Sequence, residues 1–171
     1  IKAMKRLFLT LAVAVLSIGS VVAQSNSLVK YQGEVDLGYS IGVGTFSTGR
    51  VNLHTIQGVK IGEYFSTGIG LGLDYYHEFY DNGELMIPVY LNLKGYLPVS
   101  ETVSPYLSFD IGGGFGVTEG VSGLSGVMYM PAIGVKIKRF KAQFGYNVQR
   151  ISESGIGFNM NAIQIKVGFV F

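Results

Sequence analysis

The residues in this sequence that carry chemistry are few, and they recur at even spacings. Glu34, Asp36, Asp74 and Asp110 supply carboxylates, and Lys60, Lys94, Lys136 and Lys166 supply ammonium groups. Such a set suits a salt-bridge network that fills an enclosed space, or the charged lining of a narrow pore. His54 and His77 are the only histidines, and there is no cysteine, so a metal centre lacks ligands. The glycine runs at 68–72 and 112–116 have neither the spacing nor the following helix of a phosphate-binding loop. No catalytic residue, metal or cofactor is expected.

The elements that must position these charges are strands. Apolar residues alternate with polar ones or glycine, the period of an extended chain with two different faces. Tyr31, Val35, Leu37, Tyr39, Ile41 and Val43 oppose Glu34, Asp36, Gly38, Ser40 and Gly42. Ile69, Leu71, Leu73 and Tyr75 oppose Gly68, Gly70, Gly72 and Asp74, and the pattern returns at 87–94, 107–115, 127–137, 140–149 and 162–171. The segment 50–61 is less regular, because Ile56 shares a face with Asn52 and His54; a bulge near His54 is expected there. Turn residues cluster at 45–49, 62–65, 81–84, 98–102, 118–123, 138–139 and 152–155, which separates eight segments. Each is long enough to cross a bilayer as a tilted strand, which takes about 9–11 residues.

Composition points to the same solvent. Charged residues make up 14% of the chain, against about 25% in an average soluble domain. A closed barrel with apolar residues facing lipid and polar ones facing inward accommodates that shortage. At the N-terminus, Lys2, Lys5 and Arg6 precede the apolar run 7–18 and the small-residue stretch ending at Ala23, the pattern of a secretory signal peptide. Residues 1–23 are therefore expected to be removed, with Met4 as the natural start and residues 1–3 an artefact; residues 24–171 form one barrel domain. Removing three of 13 basic residues leaves ten against 11 acids, a balance that offers nothing to nucleic acid.

On these features the chain resembles the small eight-stranded outer-membrane barrels, the group that includes the OmpA transmembrane domain and OmpX. The last segment, IQIKVGFVF, ends on Phe169 and Phe171 and resembles the family's signal to the barrel-assembly machinery. The resemblance implies an up-and-down antiparallel transmembrane barrel in the outer membrane of a diderm bacterium, monomeric, in contact with outer-membrane lipid and lipopolysaccharide. The sequence departs from the group in having no Trp. Aromatic girdles then fall to Tyr31, Tyr64, Phe65, Tyr96, Tyr106, Phe140 and Phe171 at the periplasmic end, and to Tyr75, Phe79, Tyr80, Phe115, Tyr129 and Tyr146 at the other. Resemblance to outer-membrane lipid A deacylases would call for a Ser two residues from a His, yet those positions after His54 and His77 hold Ile56 and Phe79.

The expected role is structural or surface contact, with a lumen closed by its charges: Asp36 with Lys166, and Asp110 between Lys94 and Lys136. Inward glycines would make room for long side chains. Pro88 and Pro131, which delete ladder donors, are expected near the extracellular rim, at bulges. A small-solute channel is the alternative, a lipid-modifying enzyme a third reading, and a soluble lipocalin-like barrel a fourth.

Overall fold

The computed structural model describes residues 28–44, 48–77, 83–118, 125–153 and 156–171, so the expected signal peptide lies outside the described residues, as do Phe79 and Tyr80. Eight strands run β1 (Val29–Val43), β2 (Arg50–Ile61), β3 (Phe65–Tyr76), β4 (Glu84–Tyr96), β5 (Val103–Gly116), β6 (Ser125–Ile137), β7 (Phe140–Glu153) and β8 (Ile156–Val170). Each pairs antiparallel with the next, and β8 returns to β1 to close the barrel. Closure satisfies the backbone of every strand without leaving an edge, the condition for a sheet in hydrocarbon. Turns at 62–64, 97–102 and 138–139 share one end, here the lower end, with the start of β1 and the end of β8.

The stagger of the wall follows from the pairing. From Gly33, the cross-strand partners are Gln57, Ile69, Leu91, Ile111, Tyr129, Val148 and Asn161, and the path re-enters β1 at Val43, ten residues further up. A stagger of this kind obliges the strands to tilt, by about 35–45° in closed barrels. Side chains from well-separated strands therefore meet inside at heights that counting along one strand does not reveal.

The period-2 pattern sorts faces as expected. Val35, Leu37, Leu91, Leu107, Phe109, Ile111, Ile133, Phe144, Ile165 and Val167 are exposed on the outer wall, while Glu34, Asp36, Asp74, Lys94, Asp110 and Lys166 are buried in the lumen. The molecule is apolar outside and charged inside, the arrangement of a transmembrane barrel. Inward glycines accommodate bulky partners: a Cβ on Gly70 would strike the Tyr90 ring, and one on Gly134 would strike Tyr106.

Three expectations need correction. There is no bulge near His54, because β2 pairs without a break with both β1 and β3. Ile56 is in the lumen, where it meets Tyr90 and Met128 in an apolar cluster, and the compensation is that Thr55 and Gln57 face outward. Tyr31 donates to Gln57 Oε1, Gln57 Nε2 donates to Thr55 Oγ1 at 2.7 Å, and Thr55 donates to the Glu34 carbonyl at 3.0 Å, so the polar atoms on this outer face satisfy one another. The prolines sit at gaps rather than bulges. β6 and β7 lose two pairs between Tyr129↔Val148 and Ala132↔Gly145 but resume the same register. Pro131, exposed in mid-strand and not near a rim, has no N–H to give there. β3 and β4 skip likewise beside Pro88. Finally, Tyr96 and Tyr106 leave the lower girdle, since both are buried facing inward.

Candidate functional site: the charged lumen

Glu34 is the hub of the lower lumen. Rising from β1, it accepts hydrogen bonds from Lys94 of β4 at 2.7 Å, from Lys141 of β7, and from Gln32 Nε2 at 2.9 Å. Lys141 also reaches Asp36 at 2.9 Å. Since β1, β4 and β7 are spread around the wall, this cluster bridges the lumen from side to side. Lys94 passes the connection on to Asn92 Oδ1 at 2.9 Å, and Asn92 Nδ2 donates to Asp110 and, at 3.3 Å, to Ser108. Glu34 and Lys94 are each 1% exposed, so water has almost no access to either charge.

A second cluster lies above. Asp74 of β3 accepts from Asn52 Nδ2 at 2.6 Å and contacts His54 Nε2 at 2.9 Å, with Arg50 Nε at 3.9 Å. Arg50 spreads its guanidinium over the upper lumen, donating to Asn147 at 2.7 Å, to Gln149 at 3.3 Å and to the Tyr76 hydroxyl. Ser40 and Gln164 extend the chain from Asn52 toward the seam with β8. Lys166 approaches His54 Nδ1 at 3.0 Å, and Tyr90 approaches the same nitrogen at 2.9 Å. An ammonium can only donate, so Nδ1 is an acceptor and the His54 proton sits on Nε2, directed at Asp74. A His–Asp pair with a neighbouring hydroxyl has the ingredients of acid–base chemistry, and His54 is 3% exposed.

The structure brings some of the singled-out residues together and separates others. Glu34, Asp36 and Lys94 join one cluster, Asp110 is linked to it through Asn92, and Asp74 anchors the upper cluster. Lys166 does not bond Asp36: it pairs in the backbone with Gly38, two residues higher, and contacts His54 instead. Lys136 does not flank Asp110: Asp110 lies opposite Met130, whereas Lys136 lies opposite Ser104 near the lower end. Lys136 and Lys60 both stand over the Tyr96 ring, their ammonium nitrogens 5.3 and 5.1 Å from its centre. Sequence reasoning missed Lys141 and Arg50 as network members, although both share parity with inward polar residues on their strands. Phe169 packs edge-on against Phe140 on the outer wall. Phe171 exchanges two backbone hydrogen bonds with Gly33 at 2.8 Å, its ring lying over that glycine.

No protein-family model and no curated protein matches the sequence. Solved structures do match. The outer membrane enzyme PagL superposes with a TM-score of 0.60 at 9% identity, over 80% of this chain and 98% of that one. Neisserial surface protein A (NspA) gives 0.60 at 10% identity, over 82% of this chain and 95% of that one. The chain has the fold of the small outer-membrane β-barrels. The N-terminal barrel domain of Pseudomonas aeruginosa OprF extends the likeness, with a TM-score of 0.52, 12% identity, and 82% and 97% coverage. These barrels range from an enzyme to a surface protein, so the shared wall speaks for fold and not for role.

Proposed function

We propose that this chain is an exported, non-enzymatic barrel of the bacterial outer membrane, with a structural or surface-contact role and a lumen sealed by its own side chains. The apolar wall and the kinship of fold with outer-membrane proteins support the address. The observation that carries the role is the Glu34 cluster: one carboxylate of β1, 1% exposed, joined to lysines of β4 and β7, neither of which neighbours β1 in the wall. Buried charges held this way form a plug, because opening a water path would require separating the ions. Outer-membrane lipid and lipopolysaccharide contact the wall, Phe169 and Phe171 serve the barrel-assembly machinery, and the barrel acts as a monomer.

The test combines fractionation with electrophysiology. The protein is expected in the outer-membrane fraction as a compact band that shifts on boiling, and purified protein in a planar bilayer is expected to give no steps of current. Regular single-channel conductance from the wild-type protein would replace this reading with the channel.

A further inference from the structure

Lys166 bonds His54 in the lumen, which leaves Lys60 and Lys136 as the singled-out lysines with neither a carboxylate nor a histidine partner. Among the described residues no acid forms an ion pair with either, and residues 1–27 contain no Asp or Glu. They come from β2 and β6, on opposite sides of the lower mouth, yet converge on one face-bearing partner, Tyr96, at 5.1 and 5.3 Å. Lys30 stands directly opposite Lys60 in the β1–β2 ladder, and Lys138 and Arg139 occupy the adjoining turn, so the lower end carries five bases against Glu63 and Glu101. Both lysines are half-buried, and Tyr96, 5% exposed, turns its hydroxyl inward to Gln32, which donates to it at 3.0 Å.

Two ammonium groups held over one ring leave a local positive charge and a set of N–H donors that a bound anion would match. An aromatic face offsets part of that charge, but it cannot supply the hydrogen-bond acceptors that six ammonium protons seek. We infer that the lower mouth is a binding site for a phosphate-bearing anion, held between Lys60 and Lys136 above Tyr96. A dianion matches the paired charge, and lysine binds phosphate as a point charge without demanding a fixed fork geometry. The phosphate comes either from a free solute or from a phospholipid headgroup of the adjoining leaflet. The site does not depend on the structural role proposed above.

The test is a titration of inorganic phosphate into the folded barrel in maltoside detergent at constant ionic strength, followed by amide NMR shifts. Saturable shifts are expected at Gly58, Lys60, Ser104 and Lys136, with acetate binding more weakly. The double variant Lys60→Gln, Lys136→Gln should weaken binding by at least about tenfold, since each lost contact is charge-assisted, whereas Arg139→Gln should leave it nearly unchanged. Removing two like charges does not threaten folding, and retained heat-modifiable migration of the double variant verifies this. Nanodiscs of phosphatidic acid, compared with phosphatidylcholine, separate the sources: mouth shifts in the former without added phosphate assign the headgroup, and their absence there assigns the solute. No saturable phosphate shift in either setting, equal binding of acetate, or undiminished binding by the double variant would overturn the site.

Discussion

The Glu34 cluster and the lower mouth each gather two lysines around one centre, and the centre decides the outcome. Around Glu34 the ammonium groups of Lys94 and Lys141 are cancelled by a carboxylate that also has a neighbour in Asp36. A few residues below, Lys60 and Lys136 share only a ring. The first pair lies where water is excluded, and an unpaired ion there would cost several kcal/mol. The second lies where water still reaches, and exposed charges interact with an energy of about 0–1 kcal/mol. The pairing of these two sets thus follows depth: Lys94 and Lys141 meet a carboxylate in the dry interior, whereas Lys60 and Lys136 at the mouth meet none among the described residues.

The sharpest way to break the comparison is Glu34→Ala. It strands the buried Lys94 and leaves Lys141 with Asp36 alone, and urea unfolding in lipid vesicles should show a loss of about 3–5 kcal/mol. Adding Lys94→Met should restore part of it, because the remaining Lys141 keeps Asp36; no recovery would mean that the cluster is not one electrostatic unit. Next in size is the outer wall, where Leu91→Arg near mid-depth should cost about 2–4 kcal/mol and Phe140→Arg at the lower rim about 0–1. Equal costs would refute the depth assigned to these strands. Gly70→Ala places a methyl against Tyr90, and such overpacking typically costs about 1–3 kcal/mol; Gly95→Ala, on the outer face of β4, whose Cβ would meet nothing within 4 Å, is the control and should cost less in the same unfolding assay. The smallest effect is expected from Lys60→Met, which should change stability by less than about 0.5 kcal/mol in either direction, as surface substitutions do. A loss as large as that of Glu34→Ala would show the mouth to be as dry as the interior.

Much of the wall was legible because a strand's alternation is a local property. Whether Leu71 or Gly72 faces lipid follows from its immediate neighbours, and the eight segments, their faces and their closure could be read from this alone. The partners inside the lumen were not legible in the same way. Glu34 meets Lys94 and Lys141, residues 60 and 107 positions away, and which lysine arrives at its height depends on the stagger of ten residues, set jointly by all eight pairings. A guess based on neighbouring strands paired Asp110 with Lys136, which lies six residues too low. Ile56 misled for another reason: it obeys strict alternation but breaks the chemical pattern, so a bulge looked necessary where an apolar lumenal cluster was the answer. The inward placement of Tyr96 and Tyr106 was readable in retrospect, since each stands two residues from Lys94 or Ser104 on the same face, but an aromatic near a strand end invites assignment to a girdle.

The bridged lumen also shapes how such a sequence is free to drift. An outward position such as Leu107 touches lipid that accepts any apolar side chain of tolerable size, so it can change alone. Glu34 cannot, because lysines from two other strands hold it, and a viable change there must arrive with changes at Lys94 and Lys141. Mutational histories of this barrel would then be independent on the outside and concerted within: related chains should vary one residue at a time along the wall, and in sets of three across the lumen.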